Sequence, residues 1–212
     1  MKYTSTLLLI VISISSALSQ LSEVRVIGGK NFSTLKFTNS LGQSNPDIRF
    51  RSLNTYGINT NFNAERNVFR AELSIREAGA QAIINEQELS WKLNYVDFSL
   101  AYLFEAVRID QYTVAFGAGA TSGVLLGGEQ LIGMQRYEVN QTDAFERFDL
   151  MANGMVNFHT QITKTFSISF EYRFGYSLLD IETQETQQTR NLYHGAFFGV
   201  GYTFGSTSRS RI

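Results

Sequence analysis

Taken at every second residue, the stretch from Thr165 to Leu178 separates into two chemically different lists. Phe166, Ile168, Phe170, Tyr172, Phe174, Tyr176 and Leu178 form one, and Ser167, Ser169, Glu171, Arg173, Gly175 and Ser177 form the other. Successive strand residues point to opposite faces, so this alternation predicts a strand with one aromatic face and one polar face. The same period recurs over Val24–Phe32, Asn54–Asn63, Val68–Arg76, Leu89–Phe104, Gln111–Thr121, Phe148–Phe158 and Leu192–Phe204, which makes eight predicted strands in all. The segments between them alternate in length. Residues 33–53, 77–88, 122–146 and 181–190 predict long connections, and 64–67, 106–110 and 161–164 predict short ones. Within the longest, the apolar VLLGGEQLIGM portion predicts an extension of a hairpin. An even strand count with long connections on one rim and short ones on the other predicts an all-β fold, an eight-stranded antiparallel up-and-down transmembrane β-barrel with both termini on the short-turn rim.

The side lists then decide which face is outside. An eight-stranded barrel has an interior wide enough for side chains or one small ligand. Phe98, Tyr102, Phe116, Phe166, Phe170, Phe174, Phe198, Tyr202 and Phe204 cannot all compete for that space. The opposite list contains Ala115, Gly117, Gly119, Ser99, Ser167, Ser169, Gly199 and Gly201, small residues that suit a crowded interior. The expectation is therefore inverted polarity, with the aromatic stripes facing lipid. Arg70, Glu72, Arg76, Asp97, Asp149, Glu171 and Arg173 then point inward as a mutually neutralising charge network, because an unpaired buried charge is costly. The predicted interior is a plug and not a pore. A soluble barrel of the lipocalin kind, secreted and binding a small apolar ligand, is the alternative.

Composition changes this picture little. One proline among 212 residues, with seventeen phenylalanines and ten tyrosines, fits a β protein rich in aromatics. A net charge of -1 gives no electrostatic reason to expect a nucleic-acid partner, and the absence of cysteine excludes disulfides and thiolate metal sites. Residues 1–19 predict a secretory signal peptide: Lys2 is a positive start, Leu7 to Ile14 an apolar run, and Ala17-Leu18-Ser19 a small-residue cleavage site. The apolar run is short of the ~20 residues that span a bilayer as a helix, so a membrane anchor is the weaker alternative. Residues 20–212 form the predicted barrel domain, in the cell outer membrane with periplasmic termini.

Several segments carry a resemblance. NYVDFSLAYLF, from Asn94 to Phe104, resembles the fourth-strand signature of the PorT-type outer-membrane β-barrel domain family, usually of the form YLEIPLLLKY. IGGKNFSTL (Ile27–Leu35), AELSIREAGA (Ala71–Ala80), EYRFGYSLLDI (Glu171–Ile181) and GVGYTFG (Gly199–Gly205) are similar to further family segments and occur in the family's order. Ser99 stands where the family usually has proline, and an eight-residue tail follows Phe204, the position of the terminal aromatic that the assembly machinery recognises. The resemblance implies an outer-membrane barrel whose partners are outer-membrane lipid, the barrel-assembly machinery and a secretion complex, since the family's namesake is associated with type IX secretion.

Chemistry is sparse. Two histidines exist: His159 is expected inward near the short-turn rim and His194 outward near the long-loop rim, so they cannot share a site. A rim-located membrane-barrel enzyme would pair His194 with Ser177, Asp180 or Ser122; an interfacial histidine among aromatics is the plainer expectation. Glu171 with Arg173, and Asp97 with Asp149, are better explained as structural partners than as acid–base pairs. No metal-ligand spacing occurs, and the Gly28-Gly29-Lys30 and Gly127-Gly128 pairs do not make a phosphate loop. The expectation is a non-enzymatic protein without catalytic residues, metal or cofactor, working through its long loops in a structural, adhesion or secretion-accessory role.

Overall fold

The computed structural model describes residues 21–39, 41–84, 86–139, 144–183 and 187–204. The predicted signal peptide lies outside them, as does the tail after Phe204. The strands are β1 Leu21–Asn39, β2 Arg51–Ala64, β3 Asn67–Ile84, β4 Gln87–Ile109, β5 Tyr112–Ile132, β6 Gln135–Glu138, β7 Phe148–Gln161, β8 Phe166–Ser177 and β9 Gln187–Thr203. Each pairs with its chain neighbour in antiparallel register, except that β7 pairs with β5 and β6 is a short hairpin on the upper end of β5. Two pairings close the sheet: β1 with β9 from Glu23↔Thr203 to Asn39↔Gln187, and β4 with β5 from Leu89↔Ile132 to Ile109↔Tyr112. The result is a ring of eight strands, with β6 outside it. Closure matters because it leaves no row of unpaired backbone groups.

The short rim is made by two-residue turns at Glu65–Arg66 and Asp110–Gln111 and by residues 162–165. Glu65 and Asp110 have φ of 56° and 51°, the left-handed conformation that a tight hairpin turn needs. At the other rim the sequence expectation is corrected. Residues 77–88 are not a loop: β3 and β4 continue through them, paired as far as Ile84↔Gln87, and Glu86 has φ 66°. As expected of the VLLGGEQLIGM portion, β5 runs on to Ile132 and returns through β6 as a hairpin.

These strand extensions carry a second, apolar core above the barrel. Leu35, Trp91, Leu93, Tyr95, Phe145 and Ile181 pack there with Val139, over the small inward residues Ala78 and Ala80. Ile181, expected to start a polar loop, is fully buried in this cap. Backbone bridges Arg49↔Gln81 and Phe145↔Glu182 tie the connections to one another. The described parts of the long connections thus form a structured cap across the upper mouth of the barrel.

Candidate functional site

Along β8 the two faces are cleanly separated. Phe166, Phe170 and Phe174 are about half exposed on the outside, while Ser167, Glu171, Arg173 and Ser177 are buried inside. Phe98, Tyr102, Phe116, Phe198, Tyr202 and Phe204 are outside as well. Rings on neighbouring strands touch across the outer surface: Phe69 meets Tyr102, Phe158 meets Phe170, and Phe166 meets Tyr202 edge-on at 5.8 Å. The outside of the barrel is apolar and aromatic, and its inside is polar.

Arg70, Glu72, Arg76, Asp97, Asp149, Glu171 and Arg173 all lie inside the barrel, none more than 6% exposed. At their centre is a crossbar between β3 and β8. Both guanidinium Nη atoms of Arg173 donate to Glu72, at 2.6 and 2.7 Å, and Arg173 Nε also donates to Glu171. Arg70 reaches from β3 to Glu171 on β8. Three strands lie between β3 and β8 on either side of the ring, so these pairs cross its full width. Asn59 and Asn157 donate to Glu72 and Glu171 at 3.2 and 2.9 Å. Arg173 lies over the ring of Phe197 at 5.0 Å. An Arg–carboxylate fork fixes direction as well as charge, which makes the crossbar a strut and not a loose cluster of ions.

Above the crossbar, Arg76 donates to both oxygens of Asp97 and lies 3.6 Å from Asp149. Asp149, wholly buried, also accepts from Ser177 at 2.7 Å and Asn191 at 2.8 Å. Tyr95 and Tyr193 flank the Arg76 guanidinium, 4.6 and 5.7 Å from its centre. Below the crossbar is a group that the sequence analysis did not single out. Glu23 accepts from Arg25 at 2.6 Å, from Asn61 at 2.9 Å and from Ser167. His159 Nε2 lies 3.5 Å from the same carboxylate. Glu23 and Arg25 share the odd-numbered parity of Ile27, Gly29 and Asn31 on β1; Arg25 lies within the predicted strand Val24–Phe32, and extending its alternation one residue back would have placed Glu23 inside as well.

Inward glycines make room for these long side chains. A side chain at Gly199 would meet Arg25 Cδ at 2.6 Å, one at Gly123 would meet Asp97, and one at Gly117 would meet Leu103. Gly199→Val is expected to cost about 1–3 kcal/mol by overpacking the interior, with the loss measured by urea unfolding in micelles. What remains empty inside is small. One cavity of about 10 Å³ lies beside the crossbar and one of about 30 Å³ lies beside Glu23 and His159, room for single waters and not for an apolar ligand.

His194 is outside, stacked on Phe32 at 5.3 Å, touched edge-on by Phe50 and 3.0 Å from the hydroxyl of Tyr172. Ser177 faces inward and is committed to Asp149, and Asp180 accepts from the backbone of Glu182 and Thr189. His194 is therefore one of a cluster of aromatic rings; Ser177 and Asp180 are engaged elsewhere, and Ser122 lies on β5 in register with Phe98 and Leu150, not on a strand paired with β9.

A closed up-and-down barrel with apolar outside and charged, filled inside is the architecture of small outer-membrane proteins. No protein-family model and no curated protein matches the sequence. Among solved structures, the chain is similar to the outer membrane protein OprG from Pseudomonas aeruginosa, with a TM-score of 0.51 and 8% identity over 87% of this chain and 97% of that one. It is also similar to Neisserial surface protein A, at TM-score 0.47 and 10% identity over 85% and 97% of the two chains. A third is Ail, the attachment invasion locus protein of Yersinia pestis, at TM-score 0.41 and 12% identity over 86% and 99%. At such identities the likeness is one of fold, and the OprG match carries it: the chain has the fold of an outer-membrane β-barrel.

Proposed function

We propose that this chain is an integral outer-membrane protein, non-enzymatic and non-conducting, whose work is done by the cap at its long-loop rim in a structural, adhesion or secretion-accessory role. The observation that carries the reading is the crossbar: salt bridges spanning the full width of the barrel, inside a wall whose outer surface is aromatic. Water-soluble barrels put apolar groups inside, and in lipid the preference inverts. Its termini then lie in the periplasm, at the short-turn rim, and the cap faces outward from the cell. Outer-membrane lipid and the barrel-assembly machinery are its partners. A type IX secretion role is the finer form of this proposal, supported by the order of the PorT-like segments, and a secretion complex would then contact the cap.

Two measurements test the reading. Fractionation is expected to recover the protein with outer membranes and to release it only with detergent; recovery in soluble periplasm or medium would overturn it. Reconstituted into planar bilayers, the barrel is expected to give no steady conductance, because the crossbar spans the lumen and the cavities beside it hold only single waters. A stable open channel at neutral pH would show that the interior rearranges in lipid and that the plug reading is wrong.

A further inference from the structure

The outward face of the upper rim is not uniform around the barrel. Over β1 to β4 its polar side chains satisfy each other: Lys30 donates to Asn54 at 2.6 Å, Asn54 donates to Glu77 at 3.0 Å, and Glu77 pairs with Lys92 at 2.7 Å. Farther round, Arg136 on β6 pairs with Glu129 on β5. The seam between β1 and β9 differs. There Lys36 and Arg190 occupy directly opposed positions in the register, both on the outward face. Like charges directly opposed across a strand pair are destabilising, yet no carboxylate among the described residues pairs with either. Of the described acids nearby, Asp180 accepts from the Thr189 backbone, and Glu182 from the Thr189 hydroxyl at 2.6 Å.

Beneath the two cations the face turns aromatic within two outward steps. Arg190 lies over the ring of Tyr176, 5.9 Å from its centroid, with Nη1 3.4 Å from the Tyr176 hydroxyl. Below that come His194, Phe32 and Phe174, adjacent in register across β1, β9 and β8. A strand advances about 3.3 Å per residue, so the four residues from Phe32 to Lys36 place the cations roughly 13 Å along the strand above these rings. Aromatic rings that mark a membrane–water boundary, with two cations just above them that pair with no described carboxylate, define the level at which headgroup phosphates lie.

We propose that Lys36 and Arg190 bind the phosphate of a membrane lipid headgroup, with the lipid's chains running down over Tyr176, Phe32 and Phe174. Arg190 supplies the paired N–H donors that match phosphate oxygens, Lys36 supplies the second charge, and the Tyr176 ring holds the guanidinium in place. The site rests on the membrane reading above, because only in a bilayer does a lipid phosphate lie against this seam.

The test uses the full barrel refolded in detergent and examined by native mass spectrometry while phosphatidic acid is titrated in, with phosphatidylcholine in a parallel series. The parent is expected to retain phosphatidic acid about tenfold more tightly than phosphatidylcholine. In Lys36→Gln/Arg190→Gln that preference should vanish, and in Arg190→Lys it should fall part-way, because charge is kept but the fork is lost. Both positions are on the outer surface, and heat-modifiable migration on gels confirms that the variants are folded. Equal retention of phosphatidic acid by the parent and the double variant would overturn the assignment. Displacement of the lipid by millimolar inorganic phosphate would show a site for a soluble anion and would overturn the lipid as its occupant. Flotation with vesicles separates the two levels: a parent that fails to float refutes the membrane reading, whereas one that floats without preferring phosphatidic acid refutes only the headgroup site.

Discussion

Arg173→Met is expected to destabilise the barrel by about 3–5 kcal/mol, the cost of leaving buried carboxylates without their cation. The side chain is a hub. It holds Glu72 through two hydrogen bonds and Glu171 through a third. Glu171 retains Arg70 and Asn157 when Arg173 is lost, but Glu72 retains only the amide of Asn59, at 3.2 Å. The stranded charge is therefore Glu72, and removing it as well should recover much of the loss. In the double variant Glu72→Met/Arg173→Met the cost is expected to fall below that of Arg173→Met alone. Residues within one network are not additive, and the size of the recovery measures their coupling. Reversible urea unfolding in micelles or thin bilayers, followed by tyrosine and tryptophan fluorescence and by gel migration, reads both variants. If Arg173→Met unfolds at the parent's urea concentration, the crossbar does not bear on stability.

How far the chain disclosed this arrangement beforehand depended on contrast between the two faces. In β8 every outward residue is apolar or aromatic and every inward one is small or charged, so the alternation is visible without a structure. The upper part of β3 lacks that contrast. Its outward residues are Glu77, Gly79, Gln81 and Ile83, and its inward ones are Ala78, Ala80 and Ala82. The outward face turns polar there because it has risen beyond the apolar band, and the inward face is alanine because Trp91 and Leu93 need the space. A hairpin therefore looked like a loop. The turn there gave no help, since Glu86 adopts the left-handed conformation without being asparagine or glycine, whereas the turns at Glu65 and Asp110 border or fall within segments read as short connections. The cap was illegible for a different reason: Leu35, Phe145 and Ile181 meet through contacts between connections, which no local period encodes. Parity did extend to the centre of the barrel. It placed seven charges on inward positions, although it could not say that Arg173 would meet Glu72 and Glu171 while Asp97 and Asp149 shared Arg76. Partner choice across the lumen depends on the ring order, and only the closed structure supplies that.

Phe170→Arg carries the other large effect, an expected cost of about 2–4 kcal/mol in a bilayer. Phe170 lies on the outside of β8, 48% exposed, with Phe158 and Phe198 opposite it on the two neighbouring strands. In water, an arginine at so open a position would lose some ring contact and gain hydration, for a change within about 1 kcal/mol. In hydrocarbon it must drag water inward or stretch to the interface. Depth separates these cases more sharply than the single value does. Tyr202→Arg, on the same outer face but beside the short-turn rim and Phe166, is expected to cost at most about 1 kcal/mol, because a side chain there reaches the interface directly. The ratio of the two losses, measured by refolding from urea into vesicles, therefore reports on the solvent around the wall. A steep fall from Phe170 to Tyr202 is the expected result. Equal small losses at both positions would mean that water surrounds these aromatic stripes, and the membrane placement, the headgroup site and the outward-facing cap would all fail together.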